Sequence, residues 1–467
     1  MSGNLPQVAV ERALAASKSD DCIVIADETS SANLRWAGNS LSTNGISRSR
    51  QLTVIAISRS GNEARVGVVS RAGVADAQIA DIVAEAEAAA ADASPSEDAQ
   101  PLVAPAGAAA TGSPGWDQPP ASTEIGVFAG FAADLGNAFE TAAGSGNKLY
   151  GFAEHQLDST YVGTSSGLRL RHDQPTGRLE LNAKSADLTR SAWSGTGTSD
   201  FTDVDVTALE ADLAQRLDWA ARSVSLPAGR YETLLPPTAV ADLLIYMYWS
   251  SGAKDALDGR TVFSRAGGGT RVGEQLARLP LTLHSDPAEP GLQCSPFVIA
   301  HASSRESSVF DNGLPRHRTD WIADGQLAAL TQTRHTARLA GLPVTPMIDN
   351  LILTGPGADG SVADLVGRTS RGLLLTCLWY IREVDPQTLL LTGLTRDGVY
   401  LVENGEVTGA VNNFRFNESP VGMLSRVTEV GRTKPTLPRE WGDYFTRAAM
   451  PALRVEGFNM SSVSQAS

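Results

Sequence analysis

Apolar positions in the first part of the chain follow two different periods. Residues 5–18 and the Ala- and Glu-rich run 75–92 carry apolar side chains at helical spacing, so both predict helices. Between them lie short runs typical of β-strands, separated by the turn signals Gly38-Asn39 and Gly61-Asn62. The predicted strands are Cys22–Ala26, Leu34–Leu41, Leu52–Ser58 and Arg65–Ser70. This pattern indicates a small unit of helix, antiparallel strands and helix.

The composition changes over residues 93–122, which are rich in Ala, Pro, Ser and Gly. Such a stretch can bury little apolar surface, so we predict a flexible loop or linker, with a docking tail as the alternative. After this stretch, apolar residues again recur at regular spacing. We predict helices over 125–143 and 206–223, with strands from Leu149 to about residue 195 between them.

The second half begins with a predicted strand, Arg230–Leu235, and a predicted helix over 237–251. Short strands and turns dominate the remainder. The clearest hairpin signal is Asn404-Gly405 between the apolar runs Val399–Val402 and Val407–Val411, because both turn residues tolerate positive φ.

These elements predict an α+β fold in two domains. An N-terminal domain of helices and antiparallel sheet covers residues 1–225, and a β-rich C-terminal domain covers 226–467. The length of 467 residues and a hydrophobic share of 42% fit globular domains of ordinary size.

Charge and targeting signals narrow the class of partner. The formal charge is −14, from 38 Lys and Arg against 52 Asp and Glu, which disfavours nucleic acid and anionic membranes. The N-terminus lacks the pattern of a secretory signal, and no apolar run approaches the roughly 20 residues of a membrane span. We therefore predict a cytoplasmic protein. Three widely spaced cysteines, Cys22, Cys294 and Cys377, predict no disulfide framework.

Two short motifs resemble known catalytic or binding motifs, but the elements that flank such motifs are missing here. Gly163–Gly167 matches GxSxG around Ser165, yet strand-like runs flank it on both sides, so a hairpin turn is the better interpretation. Gly355–Gly360 matches GxGxxG, but it lacks a clear βαβ unit and Pro356 removes one backbone N–H. A tight solvent loop explains it better than a dinucleotide site. No two of the six histidines stand four or five residues apart, so no helical zinc motif is present.

The second half resembles the TldD/PmbA family through an ordered set of segments. Val309–Gly325 contains a Phe-Asp-Asn-Gly hairpin pattern, and Thr392–Val407 contains the Glu-Asn-Gly-Glu turn. Further similar pieces are Asp258–Ser264, Gly273–Leu276, Leu281–Asp286 and Leu453–Met460. The resemblance is good over about 230–460, whereas over 1–225 only the order of elements agrees.

The resemblance implies a division of labour between two kinds of subunit. Catalytic members carry HExxxH on a helix and a later cysteine, which together hold zinc. The corresponding helix here, 237–251, has Tyr246, Met247, Tyr248 and Trp249 instead, and no cysteine follows Cys377. The chain thus resembles the TldE/PmbA side of the family, so we predict no catalytic, metal or cofactor residues in it. Tyr246, Tyr248 and Trp249 are candidates for a cavity or subunit interface, with core packing as the alternative.

The implied function is a non-catalytic subunit of a zinc peptidase complex acting on unfolded or small peptides, including leader peptides. The expected partner is a TldD-type subunit that carries HExxxH and the zinc, in a heterodimer or larger assembly. Strand edges within Val399–Phe416 are a hypothetical place for an extended peptide. The alternatives are a stand-alone peptidase or amidase using Ser165 or Cys294, and a scaffold or binding protein without proteolytic role.

Overall fold

A computed structural model describes residues 5–105, 113–357 and 359–465. The helices in these ranges are α1 Pro6–Ala16, α2 Ile79–Asp92, α3 Ala129–Gly144, α4 Val206–Trp219, α5 Pro237–Trp249, α6 Ala253–Leu257, α7 Arg334–Ala340, α8 Val362–Gly367 and α9 Pro420–Leu424. The strands of the first half are β1 Asp21–Trp36, β2 Leu41–Ser60, β3 Glu63–Ala72, β4 Lys148–Thr164, β5 Arg169–Lys184 and β6 Ser191–Thr198. Those that follow are β7 Ser223–Val224, β8 Gly229–Leu235, β9 Thr282–Ser285, β10 Thr319–Ala323, β11 Gln326–Leu327, β12 Leu351–Thr354, β13 Arg371–Leu375, β14 Trp379–Asp385, β15 Leu390–Thr395, β16 Val399–Glu403, β17 Glu406–Val411, β18 Phe414–Glu418, β19 Val427–Val430, β20 Lys434–Thr436, β21 Ala448–Met450 and β22 Leu453–Val463.

The first half forms one antiparallel sheet of long strands, in the order β3-β2-β1-β4-β5-β6. Alternate residues of β1 point to opposite faces. Val24 lies against α1 and α2, whereas Ile25 lies against Phe310 of the second half. Helices α3 and α4 cover the other end of the sheet. Parts of both faces of the sheet are therefore buried, one of them by the C-terminal half, whereas residues 41–51 of β2 are largely exposed.

The second half forms two sheets with a shared core. One has the order β11-β10-β9-β12-β21-β20, and the other has the order β14-β15-β18-β22-β8-β13-β16-β17-β7, with β19 paired to β22. Helix α5 packs against β21 and β20 of the former and β8 of the latter. Apolar side chains of both sheets meet those of α5 in the largest core cluster. The α+β class and the β-rich second half predicted from the sequence are confirmed.

The first strand departs from its prediction. Cys22–Ala26 and Leu34–Trp36 belong to one 16-residue strand, and Leu34–Leu41 is not a single strand, because the chain turns at Gly38 (φ 60°) and Asn39 (φ 64°). The polar middle of β1 was missed because it lacks apolar alternation. Its side chains are satisfied across the sheet instead: Thr29 donates to Asp158 Oδ1 (2.6 Å), and Ser31 pairs with Ser47 (2.8 Å).

The Ala- and Pro-rich segment contains no helix or strand in its described parts, 93–105 and 113–122. It contacts both halves of the chain. Arg59 donates to the carbonyl of Gln100 (2.9 Å), and Arg334 donates to that of Pro101 (3.0 Å). Its predicted flexibility stays a prediction.

The strands divide near the predicted domain boundary. The first sheet ends with β6, and β7, Ser223–Val224, already pairs with β17 of the second half. The division at 225/226 stays a prediction. Within the described ranges, no helix has both the length and the apolarity needed to cross a membrane.

Candidate functional site

Helix α5 is the element that the sequence singled out, and it lies in the interior. It begins with Pro237 at its first position, where the missing N–H costs nothing. Ten of its 13 residues are buried, including residues on every side of the helix. A helix that is apolar all round belongs in a core rather than at a surface. Its sequence therefore places it between the two C-terminal sheets.

Asp242 is the one charged residue of α5, and it is completely buried. Its carboxylate accepts backbone N–H groups from Arg439 (3.2 Å) and Glu440 (2.8 Å), and its own carbonyl accepts from Trp441 Nε1 (2.8 Å). Burial raises the pKa of Asp242 well above its ordinary value, although the two N–H groups oppose this. Asp242 thus fixes the loop 437–447 to the helix.

The three aromatic candidates fall into different environments. Tyr248 is 2% exposed, and its hydroxyl donates to the carbonyl of Ile348 (3.0 Å). Tyr246 and Trp249 are half-buried and contact Trp441, with ring centroids 5.6 and 5.3 Å away. Tyr248 is therefore a core residue of this chain, and the other two reach the surface beside the loop 437–447. The role of these residues in a cavity or interface stays a prediction.

The same loop joins the two halves of the protein through Arg439. The guanidinium of Arg439 lies 3.7 Å from the ring centre of Trp379 and 5.1 Å from that of Trp193 on β6. Its Nη1 is 3.4 Å from Glu180 Oε2, which also accepts from Trp193 Nε1 (3.1 Å). A cation between two indole rings and a carboxylate is a favourable arrangement. We call Arg439, Trp193, Trp379 and Glu180 the arginine clamp.

A groove of about 640 Å³ runs beside this clamp, between the two halves. It is lined by β6 and α4 on one side and by the start of α5 and β20 on the other. Both β6 and β20 are outermost strands of their sheets. Three carboxylates, Asp203, Asp205 and Asp212, and two cations, Arg216 and Lys434, line the groove. Apolar side chains such as Trp219 and Leu374 also line it, so its walls are mixed and its size suits a small or extended ligand.

The strand edges predicted to hold a peptide are largely occupied. β16 and β18 each pair with a strand on both sides, and the outer edge of β17 pairs with β7 at Ala410 and Val411. The hypothesis of strand addition within Val399–Phe416 stays a prediction, and within these strands it is confined to the Glu406 end of β17. Sequence alone could not reveal this, because the neighbours β7, β13, β15 and β22 come from distant parts of the chain.

The donor atoms of the described residues are not grouped as a zinc centre would require. Over residues 5–105, 113–357 and 359–465, no group of three or more His, Cys, Asp or Glu side chains is placed to hold a metal ion. All three cysteines are buried, and burial raises the pKa of the Cys22 and Cys294 thiols to about 11 and that of Cys377 to about 12. Zinc binds thiolate rather than thiol, so these groups are poor ligands.

The two residues considered as nucleophiles, Ser165 and Cys294, have no histidine partner within the described residues. Ser165 lies in the β4–β5 hairpin turn, as predicted, where its Oγ accepts from Cys22 N (3.0 Å) and donates to Asp21 Oδ1 (3.4 Å). No histidine takes part in these bonds. Cys294 is 3% exposed and favours the thiol form. In the described contacts, neither residue is hydrogen-bonded to a histidine of the kind that activates serine and cysteine nucleophiles.

The GxGxxG motif lies between β12 and α8, although its Ala358 is outside the described residues. β12 belongs to the smaller C-terminal sheet and the next strand, β13, to the larger one. A dinucleotide site needs both strands in one parallel sheet. The motif is therefore a connection between sheets.

Comparison with known proteins identifies the fold. The chain matches the structure of TldE from Thermococcus kodakarensis with a TM-score of 0.79 at 16% identity, over 97% of this chain and 99% of that one. It also matches proteins described as modulators of DNA gyrase from Thermotoga maritima (TM-score 0.76, 17% identity, 97% and 99% covered) and Bacteroides thetaiotaomicron (0.75, 15%, 98% and 98%). The fold is therefore that of the TldD/TldE-type structures. No curated protein matches the sequence significantly.

A family profile extends the match to the sequence itself. Residues 228–462, half of the chain, match the profile described as the PmbA/TldA metallopeptidase C-terminal domain. The chain belongs to this TldD/PmbA family, as the ordered segments predicted.

Sequence reasoning found α5 but missed the residues around it. Asp242, Arg439 and Trp441 meet only in the folded chain, since nearly 200 residues separate Asp242 from the loop. One signal was available: a lone Asp inside an apolar helix needs buried donors from elsewhere. The position of those donors could not be read from the sequence.

Proposed function

We propose that this chain is a non-catalytic, metal-free subunit of a TldD/TldE-type peptidase complex acting on unfolded or small peptides. The observation that carries the proposal is the character of α5. In the family resemblance this helix corresponds to the one with the zinc ligands, and here its residues serve the core. Asp242, the only carboxylate on it, is bound to two backbone N–H groups.

The implied partner is a TldD-type subunit with HExxxH, which would supply the zinc and the activated water. Family membership supports a partner of this kind. The surface beside α5 is a suitable contact, because aromatic residues are enriched in interfaces. Here Tyr246, Trp249 and Trp441 are half-buried, and Tyr444 is 78% exposed.

The groove between β6 and β20 supports a role in peptide handling. Two outermost strands line it, and such strands present unpaired backbone groups to an extended chain. We propose that peptide segments pass along this groove toward the partner's metal centre.

The test is reconstitution with an HExxxH-bearing family member from the same genome. We expect the chain alone to bind no stoichiometric zinc and to cleave no unfolded peptide, whereas the co-purified pair cleaves it and loses activity with chelator. Peptide cleavage by the chain alone in the presence of chelator would favour the stand-alone nucleophile. Failure to associate with any such homologue would favour a scaffold.

The proposed aromatic contact with the partner is tested by a separate substitution. Tyr444→Ser changes an exposed side chain, so the fold should persist while association with the partner weakens about tenfold. Leu339→Ser is the control, since Leu339 is also exposed (53%) but lies on α7 rather than in the loop 437–447. Affinity for the partner is measured by biolayer interferometry. Equal losses of affinity in the two variants would show that the interface lies elsewhere.

A further inference from the structure

The groove between β6 and β20 carries a surplus of negative charge. Its charged lining consists of the carboxylates of Asp203, Asp205 and Asp212 and the cations of Arg216 and Lys434. Arg216 Nη2 lies 2.7 Å from Asp212 Oδ2, so these two groups neutralise each other. Two carboxylates and one cation therefore remain to meet a ligand.

The two remaining carboxylates are accessible from the groove. Asp203 and Asp205 are both exposed, in the segment that joins β6 to α4. Asp203 accepts from the hydroxyl of Thr198, and Asp205 accepts the N–H of Ala208 (2.9 Å) as the N-cap of α4. Within the described part of the chain, neither carboxylate has a cationic partner. A carboxylate can accept about four hydrogen bonds, so each keeps capacity for a donor from a ligand.

The acidic and basic residues lie toward different ends of the groove. Asp203 and Thr436 also line a neighbouring cavity of about 120 Å³, whereas Lys434 and Val362 also line another, of about 170 Å³, beside α8. Lys434 and Thr436 are the first and last residues of β20, which places them roughly 7 Å apart along an extended strand. The groove thus has an acidic end near Asp203 and a basic end near Lys434.

The backbone of β6 forms part of the same wall. β6 pairs with β5 on one side only, and its residues 194–196 line the groove. An outermost strand leaves alternate N–H and C=O groups unpaired, and an extended peptide can bind there as an added strand. The groove therefore combines a backbone edge, which reads no sequence, with a charged end, which selects a side chain.

We propose that the groove selects extended peptides that carry a lysine or arginine side chain, whose cation pairs with Asp203 and Asp205. This inference rests on the proposed function, because it names the class of peptide that the groove takes. The formal charge of −14 on the whole chain adds a long-range attraction for basic peptides. Lys434 disfavours a second basic side chain at the opposite end.

Isothermal titration of the chain alone with three matched peptides tests the charge preference. Each is a short peptide of Val and Thr with a central Lys, Gln or Glu. Both ends are blocked by acetylation and amidation, so only the central side chain differs in charge. We expect the Lys peptide to bind about fivefold more tightly than the Gln peptide, as one or two exposed ion pairs allow, and the Glu peptide to bind most weakly.

The outcomes separate this inference from the proposed function. Equal affinities for the Lys and Gln peptides would overturn the charge preference and leave the groove as a peptide site. Binding of none of the three would reject the groove as a peptide site, and the inference with it. Reconstitution with the zinc-carrying partner tests the subunit role independently of both results.

A double variant, Asp203→Asn with Asp205→Asn, locates the preference. Asparagine accepts hydrogen bonds and caps helices, so the contacts with Thr198 and Ala208 should persist. D203N/D205N should lose the preference for Lys over Gln, while its affinity for the Gln peptide stays unchanged. Asp218→Asn is the matched control, since Asp218 is exposed on α4 but does not line the groove. An unchanged preference in D203N/D205N would overturn the inference.

Lys434→Gln tests the charge from the opposite direction. It removes the one cation of the groove that has no carboxylate partner among the described residues, so the Lys peptide should bind about twofold more tightly. A gain of affinity cannot result from a damaged fold. Unchanged or weaker binding of the Lys peptide by K434Q would overturn the inference.

Discussion

Asp242 shows how a single carboxyl group is kept in an apolar helix. An uncompensated buried polar group costs several kcal/mol. Two backbone N–H groups of the loop 437–447 offset this cost, and in return they hold the loop on α5. A single polar residue in an otherwise apolar helix thus determines where the loop with Arg439 and Trp441 lies.

The raised pKa of Asp242 predicts a specific dependence of stability on pH. Its pKa is higher in the folded state than the unfolded value of about 3.9, so the folded state binds the proton more tightly. The resulting stabilisation is complete below the unfolded pKa and is lost as the pH rises through the folded pKa. The free energy of unfolding of the native protein should therefore fall with rising pH relative to Asp242→Asn, by at most about 1.4 kcal/mol per pH unit.

Urea unfolding between pH 4 and 8 measures this difference. D242N should also lose about 1–3 kcal/mol overall, because the two N–H groups bind different carboxylate oxygens and the amide nitrogen that replaces one of them cannot accept. Asp134→Asn, on the exposed side of α3, should run parallel to the native protein. If the pH dependence of the unfolding free energy of D242N also ran parallel to that of the native protein, Asp242 would be excluded as the cause of that dependence.

The β16–β17 hairpin shows an element that local chemistry determines. Asn404 and Gly405 have φ of 52° and 84°, which is the geometry that Asn-Gly favours. A Cβ at Gly405 would lie 2.8 Å from the carbonyl oxygen of Gly367. Both the backbone angle and the close approach therefore require glycine here.

Gly405→Ala is expected to lower the free energy of unfolding by about 1–3 kcal/mol through this strain. Gly136→Ala is the matched control. Gly136 lies inside α3 with no atom near the added methyl group, so the same exchange should stabilise the protein by about 0.5–1 kcal/mol. Chemical denaturation measures both, and a G405A loss below 0.5 kcal/mol would contradict the prediction.

Prediction from the sequence succeeded where neighbouring residues determine the structure. The Asn404-Gly405 turn and the helix 237–251 follow from turn chemistry and apolar spacing over a few residues. The polar middle of β1 could not be predicted in this way, because its side-chain hydrogen-bond partners lie on β2 and β4. The arginine clamp was equally hidden, since its residues lie on β5, β6, β14 and the loop 437–447.

At the scale of the whole molecule, the arginine clamp connects the N-terminal sheet to the C-terminal half. Trp193 and Glu180 belong to the former, and Trp379 and Arg439 to the latter. All four border the interior rather than the open surface. The clamp therefore holds β6 beside the groove and fixes the spacing of its two walls.

Arg439→Gln is expected to loosen this connection, because it removes the cation between the two indole rings. Each such contact contributes about 0.5–2 kcal/mol. Amide hydrogen exchange of β6 should rise about tenfold, while that of β2, on the far side of the sheet, stays constant. Arg382→Gln is the control, since Arg382 is 66% exposed and pairs with Glu440 of the same loop. Unchanged exchange of β6 in R439Q would show that other contacts hold the two halves.

The pairing of β22 with β8 has a consequence for synthesis of the protein. These two strands lie side by side in the middle of the large sheet, and Arg454 donates to Glu232 across 222 residues of sequence. A nascent chain on the ribosome exposes β8 long before β22 has been translated. The N-terminal sheet can close early, whereas the C-terminal half must wait with an apolar strand and helix unprotected, which makes this stage the natural point for a chaperone to act.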